Sequence, residues 1–238
     1  RLDFQRAAER GQTSADVLDL VTRSGLPVAC VGVEVGWMFA EGAERRRLLD
    51  AFDESCRWAT ALGCATVMSP ADRGRGPLER AAQRLREVGD IAARHGVRLA
   101  LEFNSQAEQF NTLAAAREVL LRARHPHCGL LLDTYHFGRS GGDPARLDAL
   151  SPEEIVYIQY SDVPRTGLEP GKALDRLPPG QGSVPFRAIF RRPPVAAYAG
   201  YLSYEAPNPA TWARDPETAA REALAATRAA LADAPAGR

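Results

Sequence analysis

At 238 residues, 45% of them hydrophobic, the chain is long enough for one large α/β domain or two small ones. Lysine plus arginine and aspartate plus glutamate balance at 30 each, so no overall field draws in nucleic acid or an anionic membrane, and neither partner is expected. No apolar run approaches the ~20 residues that span a bilayer and no signal peptide opens the chain, so a soluble cytoplasmic protein is expected.

In chain order, Arg1 to Phe4 is a candidate tail of a strand, and Thr13-Ser14-Ala15-Asp16 opens a helix that Gly25 stops. Pro27 to Val35 is β-rich and reads as a strand. Glu41 to Leu62 is a long amphipathic helix ended by Gly63, and Cys64 to Met68 is the next strand. Pro77 suits the first position of a helix that runs to His95 and stops at Gly96, before a strand from Val97 to Phe103. Asn111-Thr112 starts a helix through Arg124, and His127 to Asp133 is an uncharged run ending in a carboxylate, the pattern of a parallel strand buried on both faces. A short helix from Pro144 to Leu150 precedes a strand from Ile155 to Asp162. After a Pro/Gly-rich loop come a helix near Pro185 to Arg191, a strand from Gly200 to Glu205, and a final helix with Asp215 as N-cap and Pro216 at its first position.

One helix per strand implies parallel pairing, as a doubly wound sheet or a (β/α)8 barrel. No GxGxxG follows a strand, and polar residues sit at the ends of strands spread along the chain, which favours the barrel with one central site. A full barrel needs eight strands in about 250 residues. The six strands found here imply a single barrel domain that begins inside the fold, lacking its first strand and helix and most of the second strand. Such a gap exposes a sheet edge that a second copy would cover, so a homo-oligomer is a possible arrangement.

The cysteines Cys30, Cys56, Cys64 and Cys128 form no CxxC pair and read as small buried hydrophobes in a reducing compartment. The single lysine, Lys172, lies in a Gly/Pro-bounded segment, which argues against imine chemistry on a desolvated lysine.

Four strands deliver polar groups at their ends: Glu102, Asp133, Gln159 and Glu205. An Asp at a strand end is also a common helix cap, but Thr134-Tyr135-His136-Phe137-Gly138 is not a convincing helix start, so a functional role for Asp133 is preferred. Glu102 and Asp133 are 31 residues apart and Asp133 and Gln159 are 26 apart, near the ~31 per unit of a barrel, which places them at one height. Three carboxylates sharing a buried site call for a cation, and four oxygen donors favour Mg²⁺ or Mn²⁺ over Zn²⁺. Pairing of Glu102 and Glu205 with rim arginines is the alternative. Ser69 and Glu34, near earlier strand ends, read as structural.

The order Leu-Glu-Phe, Leu-Asp-Thr-Tyr-His-Phe, Gln-Tyr-Ser-Asp, Arg-Leu-Pro-Pro-Gly-Gln-Gly and Tyr-Glu resembles the xylose-isomerase-like TIM barrels, from Thr13 to the final helix. That family includes sugar epimerases, hydroxypyruvate isomerase, inosose dehydratase, 3-dehydroshikimate dehydratase and endonuclease IV. The resemblance implies a (β/α)8 fold and one divalent metal held by Glu102, Asp133, Gln159 and Glu205. It places Glu102 and Glu205 for proton transfer, and His136 and Arg176 against the oxygens of a small-molecule substrate. Gln159, where many relatives have histidine, and the segments around Asn111-Thr112, Gly142-Asp143-Pro144 and Pro179-Gly180-Gln181-Gly182 look most like bacterial 3-dehydroshikimate dehydratases.

Enolisation of a carbonyl substrate follows from the resemblance, with Glu102, Glu205 or His136 as base. The outcome is dehydration, or epimerisation or isomerisation as the alternative; a catalytically silent barrel fragment is a third reading. Endonuclease IV would need several further histidines, and His95, His125 and His127 read instead as helix-end and loop residues.

Overall fold

The computed structural model describes residues 2–232; Arg1 lies outside them. Helices α1 (Leu2–Glu9) and α2 (Ser14–Arg23) precede strand β1 (Val31–Gly32). Then follow α3 (Gly42–Ala61), β2 (Thr66–Pro70), α4 (Leu78–Arg94), β3 (Arg98–Glu102), α5 (Leu113–Ala123), β4 (Cys128–Asp133) and α6 (Thr134–Arg139). Two 3-10 turns lead to β5 (Ile155–Tyr160), and the chain continues through α7 (Phe186–Phe190), α8 (Pro193–Ala196), β6 (Leu202–Tyr204), α9 (Pro209–Trp212) and α10 (Pro216–Ala232). The six strands form one parallel sheet in the order β1 to β6. This is the expected barrel architecture. No helix among the described residues is long and apolar enough to cross a membrane.

Three differences from the sequence reading have a physical reason in the packing or in the site. Leu2 to Phe4 is helical, not a strand tail: Phe4 stacks on Trp58 of α3 with ring centroids 3.7 Å apart, and Ala7, one turn on, is buried. The strand expected over Pro27 to Val35 shrinks to the two residues that pair with β2. A helix does begin after Asp133. Its carboxylate accepts the Tyr135 N–H at 2.7 Å, and buried Tyr135 and Phe137 hold by packing a turn that propensity alone would not. The helix at Thr13 forms as read, with Thr13 and Asp16 capping each other.

Alternation along the strands sorts the side chains. Leu99, Leu101, Leu130, Leu132 and Ile158 pack outward against the helix layer. Ala100, Leu131 and Tyr157 form an inner cluster with Met68 and Cys30. Glu102, Asp133 and Gln159 each lie two residues beyond a member of that inner layer, so they stand on the same face at the C-terminal strand ends.

Simple alternation would not put Gln159 there, because Ile155, an odd-numbered position like Tyr157, packs on the outer face. A register shift between β4 and β5 pairs Leu130 with Ile155 but Leu131 with Tyr157, leaving Val156 as an extra residue. A Cβ on Gly129 would lie 2.5 Å from Val156 Cγ2, so the absent side chain makes room for the bulge.

Candidate active site

The expected equal height holds only for one pair. Asp133 is directly opposite Gln159, but Glu102 is opposite Leu131, and Gln159 is opposite Ser203, two residues short of Glu205. Steps of two residues keep the side chains on one face, and a barrel's tilted strands require such stagger. One carboxyl oxygen each from Glu102 and Asp133 and a ring nitrogen of His136 lie within 4.8 Å of one another, all three residues buried.

Arg176 reaches into the same point from the loop after β5. Its Nη1 donates to Asp133 Oδ2 at 2.7 Å, to Glu205 Oε2 at 3.0 Å and to the Glu205 main-chain oxygen at 3.2 Å. Its Nη2 lies 3.1 Å from His136 Nε2, and the guanidinium carbon sits 4.4 Å over the Tyr135 ring. Four of the six predicted site residues, Asp133, His136, Arg176 and Glu205, are thus joined by short contacts; Glu102 Oε1 lies 3.8 Å from His136 Nε2, and Gln159 stands beside Asp133 on the neighbouring strand. Glu205 is the exposed member, its side chain 39% accessible at the edge of the cleft.

The loop is tied down on both sides of Arg176. Leu177 forms an antiparallel bridge with Asp162, Asp175 accepts from Tyr135 and Arg139, and the Asn208 side chain donates to the Arg176 carbonyl. Asp162 is fully buried, and its carboxylate accepts four main-chain N–H groups, from Val163, Gly180, Gly182 and Val184, at 2.8 to 2.9 Å.

Sequence reasoning passed over Asp162, Tyr135 and Ser105, whose contact with His136 is described below. The Gln-Tyr-Ser-Asp and Asp-Thr-Tyr-His runs contained the first two, but nothing in them separated packing from positioning. Ser69 and Glu34 are structural as read: Ser69 accepts from Trp37 Nε1, and Glu34 pairs with Arg47. His95 and His125 pair with Asp53 and Asp90, and His127 contacts the Val97 carbonyl.

Charge in the site is divided unequally. Burial, then the Asp133 and Glu205 carboxylates, raise Glu102 well above the usual carboxylate range. Burial works the same way on Asp133, but Arg176, His136 and the Tyr135 N–H together outweigh it and hold that carboxyl below its ordinary value. Burial raises Glu205, against the pull of Arg176. With more acid than one guanidinium neutralises, the donor set fits a divalent cation. Two of its buried oxygens, Glu102 Oε1 and Gln159 Oε1, have no hydrogen-bond partner among the described residues.

Burial lowers His136 to about 4, against attraction from Asp133. The folded protein therefore keeps His136 neutral where the unfolded chain protonates it, and this contribution to stability is lost as pH falls from about 6.5 to about 4. Glu102, raised, acts in the opposite sense over an overlapping range, so the comparison must be with a variant. In metal-free protein the parent should lose up to roughly 3 kcal/mol relative to His136→Gln between pH 7 and pH 4, read from urea unfolding. Parallel pH profiles would show that His136 is not held neutral by burial.

A cleft of about 780 Å³ opens over these groups, lined also by Arg73, Asn104, Gln106 and Lys172. Lys172 is 68% exposed and pairs with Glu169, the opposite of the desolvated amine that imine chemistry uses.

Known proteins share this arrangement of strands. The chain is 34% identical over 133 residues to 3-dehydroshikimate dehydratase of Pseudomonas aeruginosa, a match that takes in 53% of this chain and 20% of that protein. It is 26% identical over 225 residues to 3-dehydro-D-guloside 4-epimerase of Escherichia coli, covering 84% of this chain and 81% of the epimerase. The chain thus spans about a fifth of the dehydratase but most of the epimerase. Among solved structures, the IOLI protein with a bound zinc atom superimposes with a TM-score of 0.80 at 21% identity, over 90% of this chain and 81% of that one. A family model described as xylose isomerase-like TIM barrel matches residues 2–230. With parallel strands in sequential order and acidic groups gathered at their C-terminal ends, this chain belongs to the xylose isomerase-like TIM barrel family.

Proposed function

We propose that the protein is a divalent-metal-dependent enzyme that enolises a polyhydroxylated carbonyl substrate, acting as a 3-dehydroshikimate dehydratase that yields protocatechuate. The observation that carries this reading is the buried meeting of Glu102, Asp133 and His136 with Arg176 and Glu205 under an open cleft. Glu102, Asp133, Gln159 and Glu205 would hold the cation, Mg²⁺ or Mn²⁺ by their oxygen chemistry, and it would supply Lewis acidity that acidifies the carbon beside the carbonyl.

The protein's own groups do the rest. Arg176, kept charged by Asp133 and Glu205 despite its burial, donates to a substrate oxygen where negative charge develops. Glu102 or Glu205, both lining the cleft, removes the proton from the adjacent carbon. Loss of a β-hydroxyl as water then leaves a ring that tautomerises to the aromatic product. Similarity to the P. aeruginosa dehydratase supports this outcome.

A second reading, epimerisation or isomerisation of a keto sugar at the same site, is favoured by the longer match to the E. coli epimerase. There the proton returns to the other face of the same carbon or to its neighbour. Protein incubated with Mn²⁺ and 3-dehydroshikimate should develop the ultraviolet absorbance of a catechol, and Glu102→Gln should not. A folded, metal-loaded parent that gives no aromatic product rules out the dehydratase, and keto sugars in D₂O, read by NMR for exchange at the carbon beside the carbonyl, then test the second reading. Failure to bind Mn²⁺ at all would leave the catalytically silent barrel.

A further inference from the structure

His136 is offered a hydrogen-bond donor at each ring nitrogen, and a neutral imidazole has only one lone pair to accept with. At Nδ1 the Ser105 main-chain N–H donates at 3.2 Å, and Ser105 Oγ lies at 2.9 Å. That hydroxyl accepts from Gln106 Nε2 at 3.1 Å, which leaves its own proton for the ring. At Nε2 stand Arg176 Nη2 at 3.1 Å, Glu102 Oε1 at 3.8 Å and Asp133 Oδ2 at 4.0 Å.

The two ends differ in their freedom. A peptide N–H is only ever a donor and its place is set by the chain, whereas a guanidinium ends a long side chain that can shift. The Nδ1 lone pair is therefore committed to Ser105, and the proton sits on Nε2. The two carboxyl oxygens agree with this, since a lone pair on Nε2 would face them and a proton is attracted to them.

We propose that Ser105 is a positioning residue that fixes His136 as the Nε2–H tautomer, so that His136 donates into the cleft and neither takes the substrate proton nor ligates a metal through Nε2. This inference rests on the reading of the site as one that enolises a carbonyl, because there a fixed donor is useful. The contact between Nε2–H and Arg176 then sets two donors against each other, and it is relieved when an acceptor oxygen of the substrate enters between them. Proton removal is left to Glu102 or Glu205, and of the buried triad only the two carboxylates remain as metal ligands.

Long-range ¹H–¹⁵N NMR of the ring nitrogens tests the assignment without substrate. His136→Gln identifies the His136 signals among the four histidines of the chain. In the parent at neutral pH with a chelator present, Nδ1 should resonate far downfield as the unprotonated nitrogen and Nε2 upfield as the protonated one. One equivalent of Zn²⁺ should leave that order unchanged. Ser105→Ala keeps the main-chain N–H and should keep the tautomer, while Ser105→Pro removes that donor and should shift the two nitrogens toward each other. Reversed or averaged shifts in the parent, or a Zn²⁺-induced loss of the Nε2 proton, would overturn the proposal, and the parent spectrum decides even if Ser105→Pro does not fold. Absence of turnover on 3-dehydroshikimate or keto sugars would sink the functional reading and leave the tautomer untouched.

Discussion

Arg176→Met is expected to lower the stability of the metal-free protein by about 3–5 kcal/mol, because it leaves buried carboxylates without their counter-charge. Asp133 has no exposed surface, and Arg176 supplies both its shortest charged contact and the main force holding it ionised. Methionine keeps the length and apolar stem of the side chain, so the loss reflects charge more than volume. For a domain of this size the change corresponds to a fall in Tm of roughly 6–20 °C.

A divalent cation should restore much of it. The variant's Tm should climb more steeply with Mn²⁺ than the parent's, since a ligand at 100 times its Kd stabilises by about 2.7 kcal/mol and here it also replaces a missing positive charge. Scanning calorimetry with EDTA and with graded Mn²⁺ measures both effects. Equal Tm values for the two metal-free proteins would mean that Arg176 is not what balances the acids.

Asp162→Ala is expected to be as severe for a different reason. The alanine leaves the N–H groups of Val163, Gly180, Gly182 and Val184 without their acceptor, three of them buried and all contributed by the loop that presents Arg176. At about 1–3 kcal/mol for each buried donor left unsatisfied, the loss falls on this loop and not on the sheet. The loop should therefore detach before the barrel melts. Limited proteolysis should cut between residues 164 and 184 in the variant at temperatures where the parent resists, with the helix content by circular dichroism unchanged. Asp162→Asn should rescue little, because an amide turns one of the two acceptor oxygens into a donor aimed at other donors. A variant as resistant as the parent would show that water or a shifted loop can replace the carboxylate.

Much of this was legible in the chain because barrels repeat a simple rhythm. Uncharged runs ending in Glu102, Asp133 and Glu205 mark strands by their lack of surface residues, and a carboxylate at such an end has only the central site to face. The residues that aim the chemistry were less visible. Asp133 is at once a helix cap and a site residue, and its two roles do not compete because each carboxyl oxygen serves one of them: Oδ1 takes the Tyr135 N–H and Oδ2 the Arg176 guanidinium. The sequence reading treated these roles as alternatives. Ser105 acts through its own main-chain N–H and the Asp162 carboxylate acts on the main-chain N–H groups of other residues, and since every residue but proline carries that group, no pattern of side chains announces either role. Leu2 to Phe4 was mistaken for a strand because its partner, Trp58, lies more than 50 residues away along the chain.

The extra residue in β5 has a further consequence for how this chain is compared with others. In a pleated strand an insertion is a change of phase, and every position after it exchanges inside for outside. Val156 supplies that change, tolerated because Gly129 yields the space, and it carries Gln159 rather than Ile158 to the inner face. A relative without this bulge would therefore present a different side chain to the substrate at the same count from the start of the strand. Correspondence across this strand has to be judged by the face a residue occupies, with Asp133 on the neighbouring strand as the fixed mark from which to count.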